Sequence, residues 1–210
     1  MSAKARLFVP VAVAAVLWFW MFSPWTSGII NFWVSMSCSA VILLTLAFFS
    51  GGKPDFSSFN GRNILLWIAL GTVIAFALWG IFWIGDRLSR LMFDFARGQV
   101  DAVYGMKDGS SPVMIALLLI FLIGPAEEYF WRGFVQKTIS GITGPTASMF
   151  ITVIIYALVH IWSFNFMLVM AALVAGGVWG LIYRLKPSLL PALVVSHALW
   201  DALVFVILPI

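Results

Sequence analysis

The sequence predicts an all-α polytopic membrane protein with about seven transmembrane helices and an interfacial amphipathic helix. Three observations carry that reading. Hydrophobic residues make up 63% of the 210-residue chain and charged residues only 10%, whereas a soluble domain holds roughly a quarter of its residues as charges. The mean hydropathy is +1.07. The apolar residues fall in runs of about 20, the length a helix needs to cross the hydrocarbon core. No hydrophilic stretch is long enough for a soluble module, and no repeat or low-complexity tract appears. Residues 1–210 therefore read as a single transmembrane domain.

The expected spans, in order, are Leu7–Met21, Ile29–Phe49, Ile64–Gly85, Val113–Gln136, Thr146–Asn165, Phe166–Tyr183 and Ser188–Leu208. The first follows Lys4 and Arg6 and resembles the apolar region of a signal peptide. No convincing small-residue cleavage site follows it, so a retained anchor is expected. The fourth is a hybrid, lipid-compatible at first and then charged. Between the third and fourth, Leu88, Leu91, Met92 and Phe95 follow the spacing of one apolar helix face. Asp86 with Arg90, Arg90 with Asp94, and Arg97 with Asp101 are opposite charges four apart on the polar side. A helix lying in the headgroup plane fits this pattern. Cys38, the only cysteine, excludes an intrachain disulfide and is expected to be a small packing residue.

Lys4 and Arg6 predict a cytoplasmic amino terminus under the positive-inside rule. Alternation then places Lys53, Arg62, Lys137, Arg184 and Lys186 on the same side. Arg87, Arg90, Arg97 and Lys107 fall outside, where four aspartates between residues 86 and 112 balance them. An integral protein of the cell (inner) membrane is the localisation this predicts.

Polar groups inside the apolar runs carry the functional signal. An ionised carboxylate at the centre of a membrane helix costs ~2.5–3.5 kcal/mol on insertion scales, so such residues are rare unless a site uses them. Glu127 and Glu128 form an adjacent carboxylate pair at the end of the apolar run from Val113. Glu128 and Arg132, four apart, share a helix face and can pair. Glu127 is rotated from its neighbour by roughly 100° and can face a cavity. Tyr156 lies one turn before His160, and His197 one turn before Asp201. His160 and His197 are the only histidines. At about 1.5 Å per residue, Glu127 lies ~15 Å from Lys137, His160 ~21 Å from Thr146 and His197 ~14 Å from Ser188, so all three reach mid-membrane. Gly124-Pro125 is expected to kink the helix and loosen its backbone bonding beside the carboxylates. Ala172, Gly176 and Gly180 form a small-residue ridge that lets helices approach closely. Trp131 and Trp200 are candidates to line a cavity.

Glu127-Glu128-x-x-x-Arg132, Tyr156-x-x-x-His160 and His197-x-x-x-Asp201, in that order on separate membrane helices, resemble the motif set of the CAAX-protease and bacteriocin-processing (CPBP, or Abi) family of intramembrane glutamic endopeptidases. The resemblance runs from about Val113 to Asp201, making residues 113–210 the CPBP-like catalytic core. Residues 1–112, the amino-terminal helices and interfacial segment, carry no such signal. It implies that Glu127 is the catalytic carboxylate and activates a water together with His160. His197 and Asp201 would stabilise the oxyanion, with Glu128, Arg132 and Tyr156 in support. It implies no metal and no cofactor. The implied partners are a membrane-associated peptide or protein substrate and the lipid bilayer, with no nucleic acid. Two positions depart from the family pattern: Tyr156 stands where phenylalanine is usual, and Asp201 where the eukaryotic prenyl-protein proteases have asparagine.

The chemistry is sensible on its own terms, since peptide hydrolysis needs a base beside a water and donors where negative charge develops. Two other readings stand beside it. Glutamate and two histidines are plausible zinc ligands, although no HExxH is present. Buried carboxylates and histidines also build proton relays in transporters, and an immunity or scaffold protein could retain the fold. No inverted repeat of the transporter kind is visible.

Overall fold

The structure, a computed structural model, describes residues 3–51 and 61–210, with side chains from 6–51 and 63–210. Lys4, Lys53 and Arg62, part of the charge argument above, lie outside the described side chains. The described residues are helical with no strand. Helix α1 spans Ala3–Phe22, α2 Phe32–Phe49, α3 Gly61–Met92 and α4 Ala96–Gly105. Helix α5 covers Pro112–Thr143, α6 Pro145–Ser163, α7 Phe166–Leu185 and α8 Pro187–Ile207. Six of these, α2, α3 and α5 to α8, are long and apolar enough to cross a membrane, and α1 adds a shorter apolar helix. The protein is an integral membrane protein.

The helix ends follow local chemistry. Asn31 accepts from the backbone N–H groups of Trp33 and Val34 and so starts α2 three residues later than the apolar run begins. Asn165 caps α7 by accepting from Leu168 N. Phe164 adopts a left-handed backbone (φ 49°) that turns the chain between α6 and α7.

The expected interfacial helix takes a different form. No proline or glycine follows Gly85 until Gly98, and Asp86 pairs with Arg90 one turn on, so α3 continues to Met92. Leu88, Leu91 and Met92 are exposed on its last two turns. Asp94 lies beyond the helix end, where the four-residue spacing no longer brings it to Arg90. After the turn at Phe93–Phe95 the chain starts a separate helix, α4, on which Arg97 and Asp101 pair at 2.6 Å. Gln99 ties α4 to the α6–α7 turn: its carbonyl accepts from Asn165 Nδ2 (2.7 Å) and its side-chain oxygen from Met167 N (3.0 Å). Cys38 also departs from expectation, being exposed on the outer face of α2.

Two buried clusters hold the bundle together. Trp18, Trp33, Leu43, Ile115, Phe130 and Trp131 pack α1 and α2 against α5. Leu78, Trp179, Leu193 and Trp200 pack α3, α7 and α8. Helix α8 runs so close to α3 and α5 that side chains are excluded at two glycines. A Cβ at Gly71 would lie 2.6 Å from the Ala192 carbonyl, and one at Gly124 2.7 Å from Ala198 Cα. Neither obstacle is a flexible side-chain tip. Gly124→Ala is therefore expected to push α8 off α5 beside His197, lowering the midpoint of thermal unfolding and cutting activity. Wild-type melting and rate for the alanine variant would contradict this packing.

Candidate active site

Helix α5 is irregular where its polar residues sit. Pro125 has no N–H to donate, and its ring conflicts with the carbonyl four residues back. The helix widens instead of breaking: Leu119–Ile123 form a π turn, and Gly124 N bonds Leu119 O, five residues back. The kink expected at Gly124-Pro125 is realised as this widening. A second π stretch, Tyr129–Gln136, follows the short α-helical Gly124–Glu128. Such turns recur at functional sites because they re-aim side chains.

Within that frame the two glutamates face different surroundings. Glu128 is fully buried, and its Oε2 accepts from Arg132 (3.1 Å) and lies 3.0 Å from His197 Nδ1. Arg132 also donates to the Gly176 carbonyl at 3.0 Å. The small-residue ridge of α7 thus does more than allow close packing, since its bare backbone carbonyls meet polar side chains of α5. Gln136 repeats the arrangement one turn on, donating to Gly180 O at 2.9 Å. Glu127, 5% exposed, turns away from this network and lines a cavity. The Tyr156 hydroxyl donates to its Oε2 at 3.3 Å.

Hydrogen-bond partners assign the ring nitrogens. His160 Nδ1 lies 2.8 Å from the Tyr156 carbonyl, which can only accept, so Nδ1 carries hydrogen. His160 Nε2 accepts from the Trp18 indole N–H at 3.0 Å. His160 is therefore a neutral imidazole with both nitrogens engaged. His197 donates through Nδ1 to Glu128, and its Nε2 faces Asp201 Oδ2 at 3.6 Å, too long for a hydrogen bond. Trp179 stacks on the His197 ring at 4.0 Å between centroids and donates to Ser196 Oγ.

Glu127, Tyr156, His160, His197 and Asp201 all border one cavity of about 570 Å³. Its remaining walls are mostly apolar and include Trp33, Phe82, Met92, Val103 and Met170 from α2, α3, α4 and α7. Trp200 lines it as expected, whereas Trp131 lies behind the site, edge-on to Tyr156 at 5.2 Å. A second polar feature sits on the α3 wall. Asp86, paired to Arg90 through one oxygen, has its other oxygen buried without a partner. The lining of this cavity combines carboxylates, imidazoles and apolar surface, which suits a reaction on a substrate that itself resides in the bilayer.

All seven residues singled out in the sequence lie in this one region. Glu128 differs from its expected role in having two partners, with His197 sharing the oxygen that binds Arg132. Trp18, Gln136 and Trp179 were not singled out. Gln136 and Trp179 each had a weak signal, a polar group one turn beyond Arg132 and a tryptophan between the ridge glycines. Trp18 had none.

A buried glutamate and two histidines line an apolar cavity in a helical bundle, an arrangement able to serve hydrolysis within a membrane. Residues 109–203, just under half of the chain, match the model of the family described as type II CAAX prenyl endopeptidase Rce1-like, and this segment contains all of the residues above except Trp18 and the α2–α4 cavity walls. The match bears out the resemblance to the CAAX-protease and bacteriocin-processing family read from the motifs and supports a CAAX-type membrane protease in general. No curated protein and no solved structure matches the chain significantly.

Proposed function

We propose that the protein is an intramembrane endopeptidase of glutamic type, hydrolysing a peptide bond of a membrane-associated substrate within the apolar cavity. The observation that carries this reading is the division of labour between adjacent carboxylates. Glu128 is committed to Arg132 and His197, while Glu127 faces the cavity and, among the described residues, meets only the Tyr156 hydroxyl. In this reading Glu127 takes a proton from water as its oxygen attacks the substrate carbonyl, and returns it to the leaving amine. His160 holds the water beside Glu127. His197, oriented by Glu128, and Asp201 meet the negative charge that develops on the carbonyl oxygen, the usual use of donors at such a site.

Asp201 admits two roles. Protonated, it donates to the oxyanion as an asparagine would. Ionised, it holds the His197 ring through Nε2. We take the first, and expect Asp201→Asn to keep most of the wild-type rate while removing a loss of activity at alkaline pH. An inactive, well-folded asparagine variant across the pH range would leave only the second role.

Zinc chemistry is the second reading, because glutamate and two histidines face one cavity. Among the described residues no three His, Cys, Asp or Glu side chains are grouped so as to hold one metal ion, which favours the metal-free mechanism. Prolonged chelator treatment is expected to leave cleavage intact, with no stoichiometric zinc in the purified protein. Zinc whose removal stops activity and whose return restores it would overturn the glutamic assignment.

The amino terminus is proposed to be cytoplasmic, in the cell membrane. Arg184 near the end of α7 donates to Thr146 at the start of α6 (3.0 Å), which supports the alternation of successive spans behind that orientation. Residues 113–210 form the proposed catalytic core and residues 1–112 its companion helices. Comparative proteomics of membranes carrying wild type or the Glu127→Gln protein tests the whole reading. A membrane-bound precursor accumulating only with the variant is expected; identical peptide populations would count against proteolysis.

A further inference from the structure

The catalytic half of the site is tied to α1 by one hydrogen bond that the family motifs do not contain. Trp18 is fully buried, and its indole N–H points at His160 Nε2 at 3.0 Å across 142 residues of chain. A neutral imidazole has one donor and one acceptor, and an indole N–H can only donate. With Nδ1–H on the Tyr156 carbonyl, the Trp18 bond takes the only lone pair His160 has. The ring is also boxed: Trp18 and Tyr156 stand edge-on at 5.9 and 5.2 Å, and Phe22 lies tilted at 5.5 Å. Trp18 is itself fixed edge-on to Trp131 at 6.3 Å. While the Trp18 bond holds, Nε2 is not free to meet a water.

We propose that Trp18 is a positioning residue of the active site, which holds His160 in its Nδ1–H form and occupies the lone pair that the attacking water must take. The inference rests on the reading of Glu127 and His160 as the water-activating pair. Binding of the water exchanges one donor for another at Nε2: a water O–H replaces the indole N–H, while the second water hydrogen goes to Glu127. No covalent bond changes in this exchange, and the proton moves only afterwards, from water to Glu127. Helix α1 therefore enters the reaction by releasing His160, and sets how often the water site is open.

Losing one ordinary hydrogen bond before each productive encounter slows turnover by about fivefold, from the net worth of such a bond. Trp18→Phe keeps the aromatic volume against Trp131 and removes the donor. In purified protein reconstituted in lipid vesicles, with an acyl-anchored quenched-fluorescence peptide as substrate, kcat/KM of this variant is expected to rise about fivefold. A residue with a merely structural role would lower the rate or leave it unchanged, and either result in a folded variant overturns the proposal. A second measurement uses no substrate. With 15N-labelled histidine and tryptophan, wild type is expected to show coupling between the Trp18 indole hydrogen and His160 Nε2, and its absence also overturns the proposal, even if Trp18→Phe fails to fold. Failure of the protease reading looks different: wild type and Glu127→Gln would then treat the peptide alike.

Discussion

Glu127→Gln is expected to lower the rate of cleavage by roughly a thousandfold, within the range contributed by a positioned general base, while the protein melts where wild type does. The amide has the shape of the carboxyl group and still offers an oxygen to the Tyr156 hydroxyl, which lies 3.3 Å from Oε2 in the wild type. Among the described residues no other hydrogen bond reaches this side chain, so the substitution removes basicity and little else. Loss of activity with an intact melting curve separates a chemical role from a structural one. Purified Glu127→Gln protein cleaving at the wild-type rate would falsify the assignment of the base.

Its neighbour should behave differently. Glu128→Gln leaves the fully buried Arg132 guanidinium without its counter-charge, and breaking a buried pair on one side costs about 3–5 kcal/mol. The Gly176 carbonyl still accepts from Arg132, which places the expected loss near the lower end, about 3 kcal/mol. His197 loses its charged acceptor at the same time, so activity falls together with stability. Adding Arg132→Met to Glu128→Gln removes the stranded charge. The double variant is expected to recover much of the melting temperature and none of the activity. Recovery of both would mean that the Glu128–His197 contact is dispensable.

Much of this arrangement was legible because its determinants are local. The pairing of Glu128 with Arg132, the separation of Glu127 from both, and the convergence of His160 and His197 at one depth all follow from helix geometry and run lengths. The spans were legible for the same reason, with ends displaced where a cap such as Asn31 or the unbroken run after Gly85 decided the boundary. What escaped depends on contacts between distant segments. The Trp18–His160 bond joins residues 142 apart and the Glu128–His197 bond residues 69 apart, and no spacing rule reaches across such intervals. The acceptor role of the Gly176 and Gly180 carbonyls belongs to the same class. Glycine spacing signals that two helices can approach, but which side chain will meet the exposed backbone depends on the rotation of the facing helix. The π turns of α5 set that rotation, and Pro125 showed only that the helix had to adjust.

The position of Arg132 within α5 bears on how the chain reaches the bilayer. Glu128 and Arg132 are on one helix, one turn apart, so they can cancel each other's charge while that segment inserts, before α7 and α8 have been synthesised. Helix α5 then brings a neutral pair rather than two separate ions into the lipid, and the insertion cost of isolated charges falls mainly on Glu127. His197 and the Gly176 carbonyl join the pair later, when the helices associate. A carboxylate partner for Arg132 on a later helix would have left the arginine waiting alone in hydrocarbon during biogenesis.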